Sequence, residues 1–234
     1  PTATDNMSAN VSGTFNYNIN VVNLTGTASE SISGTIIVNT EVISKTSSST
    51  TQSSTTSSNT NIYFENGTCK CPDASVGETK EINGITYMVV DNSTIEGQIE
   101  IDNINLCTTL VTDMTELFKD KTSFNSNINF WDTSNVTNMN GLFSGASKFN
   151  QNISEWNTSS VTDMSNMFDS ASAFNQNIGG WITDSVTYMS YMFSDAIAFN
   201  KDIDGWNTLN VTNMSYMFSN AISFDRDIGS WKVS

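Results

Sequence analysis

Few residues in this chain can carry chemistry. It has three cysteines, Cys69, Cys71 and Cys107, and no histidine. Without histidine, Ser-His-Asp and Cys-His catalysis, His-ligated zinc and histidine pH switching are all excluded. Cys69 and Cys71 stand too close in sequence to prefer each other. The simplest arithmetic therefore bonds Cys107 to Cys69 or to Cys71 and leaves one thiol over. A metal site built on the three thiols would lack a fourth ligand of the same kind. Asp202, Asp204, Asp225 and Asp227 gather near the end of the chain, Asp202 and Asp227 at equivalent positions, an arrangement that could hold calcium. The calcium-loop pattern D-x-[DN]-x-[DN]-G is not met, however, and Lys201 and Arg226 stand beside them, so a solvated acidic edge is the favoured reading. Paired carboxylates also hydrolyse glycosides, but surface acids with no lining pocket make a poor case. The expectation is a protein that is not an enzyme and uses no cofactor.

The elements that position these residues are set by a repeat. Valine recurs at Val111, Val136, Val161, Val186 and Val211. The tryptophans keep the same step of 25 residues at Trp131, Trp156, Trp181, Trp206 and Trp231. So do Phe124, Phe149, Phe174, Phe199 and Phe224, and Ile128, Ile153, Ile178, Ile203 and Ile228. Five gapless copies at this period predict a solenoid, with each copy one coil stacked on the next. In the third copy Met164, Met167, Phe168 and Ala171 are spaced i, i+3, i+4, i+7, which predicts a short amphipathic helix. Residues 178–183 are the strand candidate, and stacked coils would pair such strands into a parallel sheet, neighbours about 4.8 Å apart. The fold class expected is thus an α/β solenoid of five leucine-rich-type coils. An asparagine follows each phenylalanine (Asn125, Asn150, Asn175 and Asn200, then Asp225), and this predicts a ladder of side-chain amides bonded to neighbouring backbone.

"VTNMSYMFSNAISFDRDIGSWKVS" resembles the repeat of BspA-like leucine-rich-repeat bacterial surface proteins, whose consensus runs V-T-x-M-x-x-M-F-x-x-A-x-x-F-N-x-x-I-x-x-W. The resemblance covers residues 111–234. It implies a curved or flat parallel solenoid, export to a cell surface, and a role in adhesion or surface architecture; it supplies no catalytic residues. Lys121 departs from the pattern where later copies have Ala146, Ala171, Ala196 and Ala221, which suits an end coil.

Four segments follow: a strand-rich segment over 1–44, a Ser/Thr-rich linker over 45–60, a cap over 61–110 and the repeats over 111–234. The cap holds all three cysteines and an Asn83-Gly84 pair that signals a hairpin. A bridge to Cys107 would pin it to the first coil. Alternation of apolar residues predicts strands over 15–21 and 33–43, the second bent at Gly34. Two or three strands do not make a stable sheet alone, so they need a partner.

Tyr188, Tyr191 and Tyr216 occupy positions that are polar in other copies. They read either as a contact surface for protein or sugar or as incidental variation. Asn-x-Ser/Thr sequons, Asn135, Asn157 and Asn210 among them, are glycosylation candidates wherever the source cell modifies exported proteins.

The chain has 234 residues, enough for one or two domains, and a net charge of -15 from 24 acids and 9 bases. It offers no basic face for nucleic acid or anionic membrane, and no apolar run long enough to span a bilayer. It begins at Pro1, as expected of a processed chain or a fragment, and a removed secretion signal is one explanation. The last copy keeps the interior pattern up to Trp231. The expectation is therefore that another surface covers it, or that the protein continues. The leading reading is an extracellular surface structural protein whose copies join head to tail into a filament or layer, the last coil of one meeting the N-terminal region of the next through contacts that include Trp231. The alternative is an adhesin that presents one coil face to a host or matrix protein or glycan.

Overall fold

The structure, a computed structural model, describes residues 13–22, 28–38 and 61–232. The chain divides into two compact units, 1–56 and 57–234. The Ser/Thr-rich tract 45–60 and residues 39–43 of the second expected strand lie outside the described residues.

In the first unit β1 (Gly13–Val22) pairs antiparallel with β2 (Ala28–Val38). Gly34 sits in regular register opposite Tyr17; the irregularity falls between Val21 and Val22 instead of at the glycine.

The second unit opens with a short hairpin, β3 (Tyr63–Glu65) and β4 (Thr68–Lys70), and a second one, β5 (Thr79–Ile82) and β6 (Ile85–Asp91). Their turns place Asn66 and Gly67, then Asn83 and Gly84, at positive φ, the geometry that Asn-Gly pairs adopt at least cost. Helix α1 (Ile95–Glu100) follows, and then β7 (Leu106–Leu110), which runs parallel to β6.

Residues 111–232 hold copies one to five, beginning at 111, 136, 161, 186 and 211; positions below count the valine as 1. Equivalent residues of successive copies are joined by single parallel bridges, Asp113 to Asn138 to Asp163 to Tyr188 to Asn213. From there the chain runs as consecutive tight turns, and this overturns the expected helix: α1 is the only α-helix among the described residues. The N–H groups of positions 7, 9 and 11 turn back to carbonyls three residues earlier, as from Leu142 to Met139, Ser144 to Gly141 and Ala146 to Phe143. Those of positions 4, 6, 8 and 10 leave the copy. Met139, Gly141, Phe143 and Gly145 donate to the carbonyls of Asp163, Ser165, Met167 and Asp169 at 2.8–2.9 Å, and the pattern repeats at each junction. Consecutive turns put apolar side chains inward at positions 4, 7, 8 and 11, the spacing of a helical stripe. They also require φ near +57° at positions 6 and 10. The expected strand over 178–183 does not form either; those residues are turn and irregular backbone.

The interior is built of columns. Phe118, Phe143, Phe168, Phe193 and Phe218 stack with ring centroids 5.5–5.7 Å apart, and the Phe124 to Phe224 column at 5.7–6.0 Å. Each tryptophan indole donates to a carbonyl of the preceding turn of chain: Trp131 to Ile104, then Trp156 to Ile128, Trp181 to Ile153, Trp206 to Ile178 and Trp231 to Ile203, all at 3.0–3.2 Å. The asparagine ladder is present, the N–H of Asn150, Asn175, Asn200 and Asp225 each donating to the amide Oδ1 of the copy before at 2.9–3.1 Å. These bonds satisfy backbone groups that no regular strand would reach.

The segment 61–110 covers the first copy. Val90, Ile95, Ile99 and Leu106 join one buried cluster with Val111, Met114 and Phe118. The Asn92 side chain accepts from the N–H groups of Thr112 and Asp113.

Candidate functional site

The junction of cap and first copy brings together the disulfide, a buried thiol and a buried carboxylate. The disulfide joins Cys69 to Cys107 across 5.3 Å between Cα atoms, and Cys71 is a fully buried thiol. Burial pushes the Cys71 thiol up, against hydrogen bonding from Thr109, so it stays protonated and unreactive at neutral pH. Beside it, Lys70 Nζ lies 2.8 Å from Oδ1 of Asp132, a residue only 2% exposed. Thr109 Oγ1 donates to the other oxygen of Asp132 and Ser134 Oγ donates to Oδ1. Burial raises the Asp132 carboxyl, but its bonds from Lys70, Ser134 and Thr109 outweigh that and hold it below the usual carboxylate range. The bridge ties β4 to β7, and Lys70 and Thr109 tie those two strands to Asp132 of the first copy.

The four aspartates fall into structural positions. Asp202 and Asp227 continue a column begun by Asn127, Asn152 and Asn177, and in all five the side-chain oxygen accepts from the N–H two residues on, at 2.8–3.2 Å. A neutral amide does this in three copies, so the turn does not call for a charge. Asp225 ends the asparagine ladder, and Asp204 Oδ1 accepts from the N–H of Ser230. Among the described residues no group of three or more His, Cys, Asp or Glu could hold a metal ion. Of the three sequon asparagines, Asn135 and Asn210 spend their side-chain N–H on the carbonyls of Thr109 and Asp184, whereas Asn157 uses its oxygen, which accepts from Ser159.

The outer surface of copies four and five is different in kind. Tyr188, Tyr191 and Tyr216 are 48%, 39% and 64% exposed. The rings of Tyr191 and Tyr216 stack with centroids 4.9 Å apart and planes 19° from parallel. Both stand at position 6 with φ of 57°, where copies two and three place Gly141 and Asn166. A bulky side chain in that left-handed region costs on the order of 1 kcal/mol relative to glycine. Position 12 changes in the same way, from Thr122, Ser147 and Ser172 to the exposed Ile197 and Ile222. Leu209 is a further exposed apolar side chain in copy four. The sequence pointed to the tyrosines; it missed the isoleucines, whose only signal was the loss of a hydroxyl column.

Trp231 is half-buried, stacked on Trp206 at 6.2 Å. With Met214, Met217, Phe218, Ile228 and Gly229 it lines an open depression of about 400 Å³ on the last copy. No described helix is long and apolar enough to cross a membrane.

No curated protein and no solved structure matches the chain. With two overlapping matches to one family model, over residues 83–182 and 152–234, the chain belongs to the family described as Mycoplasma protein of unknown function, DUF285.

Proposed function

We propose that the repeats form a solenoid displayed outside the cell, and that the chain is a binding module of the BspA-like kind rather than an enzyme. The observation that carries this reading is the change of the outer surface in copies four and five. There Tyr188, Tyr191, Tyr216, Ile197 and Ile222 stand where earlier copies have Asp, Asn, Glu, Gly, Ser or Thr, while the valine, phenylalanine, isoleucine and tryptophan columns keep their residue types. A solenoid used only as a spacer gains nothing from exposed aromatics, whereas amphipathic rings are suited to contact. The test is attachment of the purified chain to immobilised matrix proteins and to a glycan array. The triple variant Tyr188→Ser, Tyr191→Ser, Tyr216→Ser should lose attachment with an unchanged circular dichroism spectrum. Equal attachment by the variant removes the reading.

Head-to-tail assembly into a filament or layer is the second reading, and the open apolar depression around Phe218 and Trp231 favours it. The cap over the first copy blocks the most direct joint, copy five onto copy one, so the joint would have to use another surface. Sedimentation at rising concentration decides: a single monomeric species throughout sinks this reading.

A further inference from the structure

The aromatic surface lies in an electrostatic setting that selects its partner. Residues 161–173, 186–198 and 211–223 form the turn ribbons of copies three to five, and they contain no lysine or arginine. They contain Asp163, Asp169 and Asp195. Asp163 is bridged directly to Tyr188 in the parallel register. Asp195 stands four residues after Tyr191, at position 10, the other left-handed position of the same ribbon. Its Oδ1 accepts from Asn220 Nδ2 at 3.0 Å and its Oδ2 from Ser194 Oγ at 3.3 Å, so the carboxylate is held in place on the same ribbon as Tyr191. Asp169, one copy earlier, is pushed up mainly by burial, with the charge of Asp195 adding to it. The whole chain carries -15, which draws in positive partners and repels anionic ones.

We propose that the surface of Tyr188, Tyr191 and Tyr216 docks a cationic peptide segment. Lysine or arginine side chains would lie over the tyrosine rings, and Asp163 and Asp195 would take up their charge. The negative face of an aromatic ring attracts a cation, and an arginine plane also stacks on it. Exposed rings alone would serve a neutral sugar equally well; the carboxylates on the same ribbons and the lack of any base there are what favour a cationic partner. This inference rests on the binding-module reading above.

The test uses the intact chain and a short fluorescein-labelled peptide of Arg, Gly and Ser, followed by anisotropy. Because any chain of this charge attracts a basic peptide, the deciding variant leaves charge alone. Tyr191→Ser with Tyr216→Ser should weaken binding by about tenfold, as expected for two exposed cation–π contacts. Tyr191→Phe with Tyr216→Phe should keep it, and Asp195→Asn should weaken it with a shallower salt dependence. Equal binding by the Ser and parent chains overturns the proposal. If the Ser variant instead loses a neutral glycan while binding the peptide unchanged, the cationic assignment falls and the binding module stands. If neither ligand depends on the tyrosines, both fall.

Discussion

The cap and the repeats solve the same problem by opposite means. Each repeat is held by many small bonds that recur every 25 residues: four backbone bonds to the next copy and a fifth from position 2 to the copy before, one asparagine amide, one indole N–H and stacked phenylalanines. The cap is held by contacts made once, the Cys69–Cys107 bridge, the Lys70–Asp132 pair and the Asn92 side chain that stands in for a missing backbone partner. Register passes from copy to copy along the stack, and the singular contacts of 61–110 cover the face at which the stack begins.

The sharpest way to break this comparison is inside a column. Trp181→Ala should cost roughly 3–5 kcal/mol by urea denaturation, since it empties a buried site and strands the Ile153 carbonyl. A smaller loss, under about 1 kcal/mol, would mean that the columns share load less than their stacking indicates. In the cap, Cys69→Ser with Cys107→Ser should cost roughly 3–4 kcal/mol from loop entropy over a separation of 38 residues. Hydrogen exchange should show the loss concentrated in 61–110; uniform loss through copy five would show that the stack depends on its cap for stability as well as register. Asp132→Ala should cost about 2–3 kcal/mol, at the low end for a paired buried charge because Lys70 keeps some access to water. The Asp132 carboxyl is held below its unfolded-state value, so its stabilisation is complete above about pH 4 and is lost as pH falls through the folded-state value. Below that the parent and Asp132→Ala chains should converge in stability; a constant gap would deny the pair its ionised form. The smallest effect belongs to the outer surface. Tyr216→Asn suits a φ of 57° and should change stability by less than about 0.5 kcal/mol. A clear loss in a thermal melt would make the Tyr191–Tyr216 stack part of the fold.

What the sequence revealed followed the same division. The valine, phenylalanine, isoleucine and tryptophan columns and the asparagine ladder were legible because each states itself five times. Asn83-Gly84 is legible from local turn chemistry, and Asn66-Gly67 carries the same signal. The helix was misread because positions 4, 7, 8 and 11 give the spacing of a helical stripe whether the backbone coils or turns repeatedly. Gly141 and Gly145, two glycines within five residues of that segment, were the available sign that it turns. In the cap, Cys69 and Cys71 lie two apart and share one face of an extended chain, so parity could not choose between them for Cys107. Lys70 and Asp132 are 62 residues apart with no pattern linking them, and only the folded chain brings them together.

The bonds between copies have an electrical consequence. The carbonyl of position 3 and the N–H of position 4 belong to one peptide group, and so do those of positions 5 and 6, 7 and 8, and 9 and 10. Each such group accepts from the copy before and donates to the copy after. Four unbroken wires of peptide dipoles therefore run through all five copies, side by side and pointing the same way, each unit about 3.5 D. Aligned dipoles reinforce one another along a chain of bonds. The repeat array is in this sense a polarised column, with its negative pole at the carbonyls of Asp113, Thr115, Leu117 and Lys119 and its positive pole at the N–H groups of Met214, Tyr216, Phe218 and Asn220. Tyr216 belongs to both features: its ring is stacked in the aromatic surface and its amide sits at the positive end of a wire.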